Sequence, residues 1–226
     1  MTIAIDRTAT TDSPILDVLA ERWSTRVFDP AASIDEAALA SALEAARWSP
    51  SANNTQPWRF IVTRRGSDAY DAVYASLRDF NKNWAGDASA LVVAAATTTT
   101  EDGSPMHFAQ YDTGQAVAHF TVQAHTGGLA THQMCGFDRD AVRATFDLPA
   151  NITPLTVIAV GEQHPALAVR RDPPRHRRVR RDLHQPPRLQ QELGRRRVRA
   201  RRRGRDDDDR RPVSYTHLTL PTNREV

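Results

Sequence analysis

The sequence predicts an α+β domain, and three observations carry that prediction. Apolar residues recur at helical spacing in several stretches, and short apolar, β-biased runs stand between them. The two kinds of segment alternate irregularly, without the steady strand-helix beat of a parallel βαβ series. About 160 residues of ordinary globular composition are also enough to bury one substantial core.

The first element begins at Ser13, an N-cap candidate followed by Pro14 at the first helical position, where the missing N–H costs nothing. Ile15, Leu16, Val18 and Leu19 make a short amphipathic helix that stops near Arg22-Trp23-Ser24. Ser33-Ile34-Asp35-Glu36 reads as a capping box, opening a helix with Leu39, Leu43 and Ala46 on one face and an end at Ser49-Pro50. Ser49 to Trp58 holds two prolines and is mostly polar, so it is a loop, and Arg59 to Thr63 follows as a strand. Asp68 to Phe80 is predicted as one helix, with Tyr70, Val73, Tyr74 and Leu77 at i, i+3, i+4 and i+7. Leu91 to Thr97 suits a central strand. The longest helical pattern lies between Phe108 and Ala124, with Ala116, Val117 and Phe120 on one stripe and Gly127-Gly128 as its C-cap; it reads as the central buried helix. Asp138 caps a helix to Phe146, Leu148-Pro149 breaks it, and Leu155 to Val160 is a β-branched strand ending at Gly161.

The formal charge of +3 conceals two opposite parts. Residues 1–163 carry 11 Lys/Arg against 19 Asp/Glu, a net −8, whereas residues 164–226 carry 19 Arg against 8 Asp/Glu, a net +11. The expected organisation is a disordered N-terminus over 1–12, one domain over 13–163, and an Arg/Pro-rich disordered tail over 164–226 with too little apolar content to offset ordering entropy. The tail has the composition that GC-rich coding sequence yields when translated out of frame, and 213–226 reads as foreign sequence. Arginine tracts can neutralise phosphates, which keeps a nucleic-acid-binding protein acting through the tail as an alternative, although no aromatic residue stands there for base stacking before Tyr215. A single cysteine, Cys135, excludes an internal disulfide framework and suits a reducing compartment. Met1 to Pro14 lacks the apolar core of a secretory signal, and the longest strongly apolar run, Ala90 to Ala96, is far short of the roughly 20 residues that span a bilayer. A soluble cytoplasmic protein without membrane partners is expected.

Gly-x-Gly-x-x-Gly, Walker, His-Glu-x-x-His and Cys-x-x-Cys signatures are absent, and His107, His119, His125 and His132 lack metal spacing, so no metal is expected. Three segments stand above this background. Arg22-Trp23-Ser24-Thr25-Arg26 offers two guanidinium groups and two hydroxyls suited to a phosphate, or simply a solvated polar turn. Ser49 to Trp58 is dense in groups that donate and accept at once, as a heteroaromatic edge requires, or is a surface turn. Gly127-Gly128-Leu129 through Cys135-Gly136-Phe137-Asp138 has glycines that let backbone approach a ligand.

Their order and spacing decide between these readings. Glu21-Arg22-Trp23-Ser24-Thr25-Arg26-Val27-Phe28, Ser49-Pro50-Ser51-Ala52-Asn53-Asn54-Thr55-Gln56-Pro57-Trp58, Asp87-Ala88-Ser89, Gly127-Gly128-Leu129 and Cys135-Gly136-Phe137-Asp138 together resemble the FMN-dependent nitroreductase family from about Ile15 to Glu162. The resemblance implies a central, mostly antiparallel sheet flanked by helices, an intertwined homodimer with shared flavin sites, and an FMN-binding domain over 13–163. It places Arg22, Trp23, Ser24 and Arg26 on the FMN phosphate and ring edge. Pro50, Ser51, Ala52, Asn54 and Gln56 belong to the segment that covers the partner's flavin, with Ala52 standing where many members have a second Ser. Asn81 takes the position that bonds the pyrimidine edge, and Cys135-Gly136 replaces a Glu-Gly pair whose backbone N–H groups reach the reactive nitrogen.

The activity that the resemblance implies is that of an FMN-dependent oxidoreductase. It moves hydride from NADH or NADPH to flavin, and on to a nitroaromatic, quinone or similar small-molecule electron acceptor, by a ping-pong exchange in one site. No catalytic acid or base is assigned, because the chemistry sits on the cofactor. An inactive truncated member is the further alternative, because the family continues past the strand at Val157 to Gly161 with a basic motif and a C-terminal arm that are missing here. The reading frame is expected to change near Leu167, and resequencing of the coding DNA that returns the same frame overturns this.

Overall fold

In the computed structural model of the chain, residues 7–164 are described. The tail over 164–226, with the frame change near Leu167 and the nucleic-acid alternative, falls outside them apart from His164, as do residues 1–6 of the N-terminus. The elements in chain order are α1 (Asp17–Glu21), α2 (Glu36–Arg47), a 3-10 turn (Ala52–Asn54), β1 (Trp58–Arg64), α3 (Asp68–Ser76), α4 (Asp79–Ala85), β2 (Ala90–Thr97), α5 (Ala109–Thr126), β3 (Ala130–Met134), α6 (Arg139–Thr145) and β4 (Ile152–Gly161).

The strands form one sheet in the order β1-β2-β4-β3, and every neighbouring pair is antiparallel. From Ala90 to Ala96 the central β2 has no polar side chain and is completely buried, so both faces of the sheet must be covered. On one face Leu91, Val93, Val157 and Ala159 pack with Phe28, Tyr70, Val73, Leu77, Phe137 and Val142 from α3, α6 and the connecting segments. On the other, Ala90, Val92, Ala94, Ile158 and Val160 pack with Leu39, Ala42 and Ala46 of α2 and with Ala116, Phe120 and Ala124 of α5. This is the expected α+β arrangement. Phe28 and Phe120 are the largest fully buried side chains, one on each face, and each is worth about 1.5–3 kcal/mol of burial.

Local signals place most elements correctly. Asp138 caps α6 through Asp140 N–H and Ala141 N–H, and Gly128 (φ +89) takes the left-handed position that ends α5. Four departures have physical causes. α1 starts at Asp17, not Ser13, because Ile15, Leu16 and Leu19 stay exposed and no packing supports an earlier turn. The α2 cap is Asp35, whose carboxylate accepts from Ala37 N–H and Ala38 N–H, so Ser33 is not the cap. The single helix predicted over Asp68 to Phe80 is two: Leu77 forms a β-bridge with Phe137 and Arg78 N–H donates to Gly136 O, so tertiary backbone pairing interrupts the helical ladder. β3, Ala-Thr-His-Gln-Met, has no β-rich pattern that would predict it; it is recruited as an outer strand along β4.

β4 also begins earlier than its β-branched run predicts. Its register against β2 passes from Ala94–Thr156 to Ala95–Pro154, so Leu155 is an extra residue in a bulge beside Pro154, which has no N–H to give the ladder. Of the N-terminal stretch, Ala9 N–H donates to Ala20 O and the Arg7 guanidinium sits 4.0 Å over the Trp23 ring. No helix among the described residues is long and apolar enough to cross a membrane.

Tyr70 ties α3 to the α4–β2 connection: its hydroxyl faces Ala85 O, Gly86 O and Ala88 O at 3.2, 3.1 and 2.8 Å. Burial pushes its phenol up to about 12, so it stays a neutral donor. Tyr70→Phe is expected to lower the unfolding free energy by about 1–2 kcal/mol, measured by urea denaturation. Tyr74→Phe, whose half-buried hydroxyl meets only Lys82 O among the described residues, should cost less.

Candidate functional site

The segment from Arg22 to Arg26 leaves α1 in an extended conformation. Inside it, buried Thr25 folds the chain on itself: its Oγ1 donates to Val27 O and accepts from Val27 N–H. The chain then bridges Phe28 to Gln163, just past the end of β4. A second tie comes from β3, where His132 Nδ1–H donates to Thr25 O at 2.8 Å. The acceptor is a carbonyl, so the Nδ1 position carries the proton. The His132 ring lies 4.4 Å from the ring of Trp84 in α4, and Trp84 stacks on Phe28.

This scaffold presents Arg22 half-buried and Ser24 and Arg26 exposed, and among the described residues neither arginine has a carboxylate partner. Two unpaired guanidinium groups and a hydroxyl within five residues form a donor set for a multiply charged anion. Burial holds the His132 imidazole below its usual range; the Thr25 carbonyl bond opposes the shift and the Arg26 charge adds to it.

β3 ends at Met134, and the chain continues into Cys135 and Gly136. The buried Asn81 of α4 donates from Nδ2 to Gly136 O at 3.0 Å, leaving its amide oxygen without a partner among the described residues. A Cβ on Gly136 would stand 3.0 Å from both Asn81 Nδ2 and Phe80 Cζ, so glycine is what allows this close approach. Cys135 is exposed beside it. The structure therefore gathers Arg22, Ser24, Arg26, Asn81, Cys135 and Gly136 along the β3 side of the sheet. Trp23 stands in the same segment, its ring against Arg7.

The Pro50 to Gln56 segment lies elsewhere. It leads into β1, where Trp58 is level with Ala96 and Ala96 with Thr153, the start of β4. The Arg22–Arg26 segment lies beside β3, where Thr25 O meets His132, on the side of the opposite outer strand. Among the described residues no hydrogen bond joins the two segments.

The Pro50 to Gln56 segment has a defined internal structure. Asn53, Asn54 and Gln56 all have left-handed backbone (φ 52, 55 and 46), a conformation that Asn tolerates better than Gln. Gln56 N–H donates to Ser51 Oγ at 3.0 Å and Gln56 Nε2 to Asn54 Oδ1 at 3.2 Å. Two residues of α5 hold it from outside. Asp112 Oδ2 accepts from Ala52 N–H at 2.9 Å, and His119 Nδ1 is hydrogen-bonded to Ser49 Oγ at 2.7 Å. Sequence reasoning missed Asp112, His119, Trp84 and the structural use of His132. Only Asp112 had a signal: it occupies the inward stripe between Ala109 and Ala116, where a carboxylate needs a buried donor.

With this geometry in place, comparison with known proteins identifies the class. The family model described as Nitroreductase family matches residues 19–95 and 68–162. The chain belongs to the nitroreductase family. The fold is similar to a solved structure described as an oxidoreductase containing FMN, with TM-score 0.66 and 28% identity, covering 72% of this chain and 83% of that one. A 15.4 kDa protein from the ask 5′ region of Mycolicibacterium smegmatis is 37% identical over 110 residues, 46% of this chain and 74% of that protein. The oxygen-insensitive NAD(P)H nitroreductase of Salmonella typhimurium is 34% identical over 90 residues, 39% of this chain, and the match spans only 42% of that enzyme.

A lowered histidine takes up its proton later in the folded than in the unfolded chain. The unfolded state then binds more protons as pH falls below its histidine value of about 6.5, and stability declines. Urea unfolding from pH 7 to 5 should show this decline, and His132→Gln should flatten it; an unchanged slope in the variant refutes the assignment.

Proposed function

We propose that the chain is an FMN-dependent oxidoreductase that takes hydride from NADH or NADPH and reduces a nitroaromatic, quinone or similar conjugated acceptor by a ping-pong exchange in one site. The observation that carries this reading is the β3-side array. An anion-binding corner at Arg22, Ser24 and Arg26, tied to β3 through Thr25 and His132, and a carboxamide-backbone corner at Asn81 and Gly136, just past the end of β3, both keep unspent hydrogen-bonding groups. These residues fit FMN: a terminal phosphate at one end, and at the other a ring edge offering both donors and acceptors.

FMN, when bound, supplies the redox chemistry. Arg22 and Arg26 neutralise the phosphate charge, and Ser24 adds a hydroxyl donor. The Asn81 amide oxygen accepts from the ring edge while its Nδ2 stays committed to Gly136 O, which fixes the side-chain orientation. Gly136 offers its N–H to the ring, while its missing side chain leaves the room that Asn81 and Phe80 occupy. Cys135 replaces an acidic residue here, so only backbone is offered at that position. Within its own chain the Pro50 to Gln56 segment bonds to α5 and to itself, not to this array. A homodimer in which Pro50, Ser51, Ala52, Asn54 and Gln56 of one copy cover the flavin of the other is part of the proposal. So is a cytoplasmic location, with which the exposed thiol of Cys135 is compatible.

Arg22→Ala and Arg26→Ala should each weaken FMN binding by about 10–100-fold, the effect of losing one charge-assisted contact. Flavin fluorescence titration measures this, with gel filtration reporting the dimer. A colourless wild-type protein that takes up no FMN and oxidises neither nicotinamide in the presence of a quinone or nitroaromatic overturns the reading.

A further inference from the structure

Asp112 is the one carboxylate among the described residues that is buried, and the array along β3 does not use it. It sits in the first turn of α5 with 3% of its surface exposed. Its Oδ2 accepts from the backbone N–H of Ala52, sixty residues away, at 2.9 Å. That bond enters the Pro50 to Gln56 segment immediately before its left-handed residues, Asn53, Asn54 and Gln56. The loop's internal bonds, Gln56 N–H to Ser51 Oγ and Asn54 N–H to Ser51 O, close the turn on itself but do not anchor it to the domain. Besides Asp112, His119 holds one flank at Ser49, and the other flank is held by Thr97 N–H on Pro57 O and by Arg59 on Gln56 O; among the described residues only Asp112 bonds the middle of the segment. The side chains of Asn53 and Asn54 are exposed, so packing does not select their backbone conformation.

We propose that Asp112 is a positioning residue: its buried carboxylate fixes the Ala52 N–H and thereby selects the left-handed course of the loop that covers the flavin of a second copy. The inference rests on the flavoenzyme reading for its consequence, but not for its mechanism. A residue that makes no hydrogen bond to its own chain's flavin array would control cofactor retention in the partner's site. Loss of the acceptor oxygen leaves the Ala52 N–H without its partner, which a residue keeping an oxygen at that place would supply again.

The test uses the full chain, first without FMN. Hydrogen exchange read by mass spectrometry should be faster by about tenfold in peptides covering Ser51 to Pro57 for Asp112→Ala, while peptides from β2 and the second half of α5 are unchanged. Asp112→Asn, which keeps an amide oxygen at the same place, should recover most of the protection. Flavin fluorescence titration should then show the FMN dissociation constant raised about tenfold in Asp112→Ala and restored in Asp112→Asn. If Asp112→Ala does not fold, wild-type protein decides by NMR: Ala52 N–H should exchange at least about tenfold more slowly than the neighbouring Asn53 N–H. Equal exchange of these two amides, loosening spread over all of α5, or no rescue by Asp112→Asn overturns the proposal. A wild-type protein that takes up no FMN overturns the flavoenzyme reading instead, and the exchange measurements still decide the role of Asp112.

Discussion

Everything in this domain depends on the burial of β2 on both faces. A strand built of Ala, Leu and Val with no polar residue before Thr97 cannot lie at an edge or face water. It therefore takes β1 and β4 as neighbours and demands a helical layer above and below. The alanines on this strand matter as much as the larger residues: with Ala90 and Ala94 on one face, α2 and α5 can approach the sheet closely, and Phe120 fills the remaining depth. On the other face the larger Leu91 and Val93 meet a layer of shorter helices and connections that carries Tyr70, Val73, Leu77 and Phe137.

The placement of functional groups is a consequence of this covering problem. Each helical layer is reached by connections that emerge at the ends of the sheet, and chain direction assigns them to different corners. α2 begins near the end of β1, where Glu36 pairs with Arg64, and runs back to deliver Ser49 to Gln56 at the start of β1. α4 runs along the far side and joins Asn81 to Gly136 and Trp84 to His132. One helix so delivers the loop, while another ties the β3 side to the carboxamide site. α5 is the element whose inner face builds the core while Asp112 and His119 steady the loop, which in the proposed homodimer covers the flavin of the second copy.

The features legible along the chain are those that short-range physics controls. Caps such as Asp138, breakers such as Pro149 and Gly128, and the apolar period of α2 and α5 each depend on a few neighbouring residues, and they place those elements to within a few positions. The candidate residues at Arg22, Ser24, Arg26, Asn81 and Gly136 are legible for a related reason: a close approach to a charged or planar group restricts residue type in short, ordered stretches. The break between α3 and α4 and the existence of β3 are not legible. They depend on Leu77 meeting Phe137 and on β4 offering an open edge, contacts between segments far apart in the chain.

Composition and local pattern thus settle the α+β class and the chemistry offered by each short segment. Folding in three dimensions decides which segments meet. Arg26 and Gly136 come to the β3 edge of the sheet, Gln56 leads into the β1 edge, and Asp112 and His132 serve as braces, although nothing near them in the chain names their partners. The reason is physical: a side chain's type reflects what it can bond, but its partner is chosen by the course of the backbone, and that course is set by the need to bury β2 on both faces.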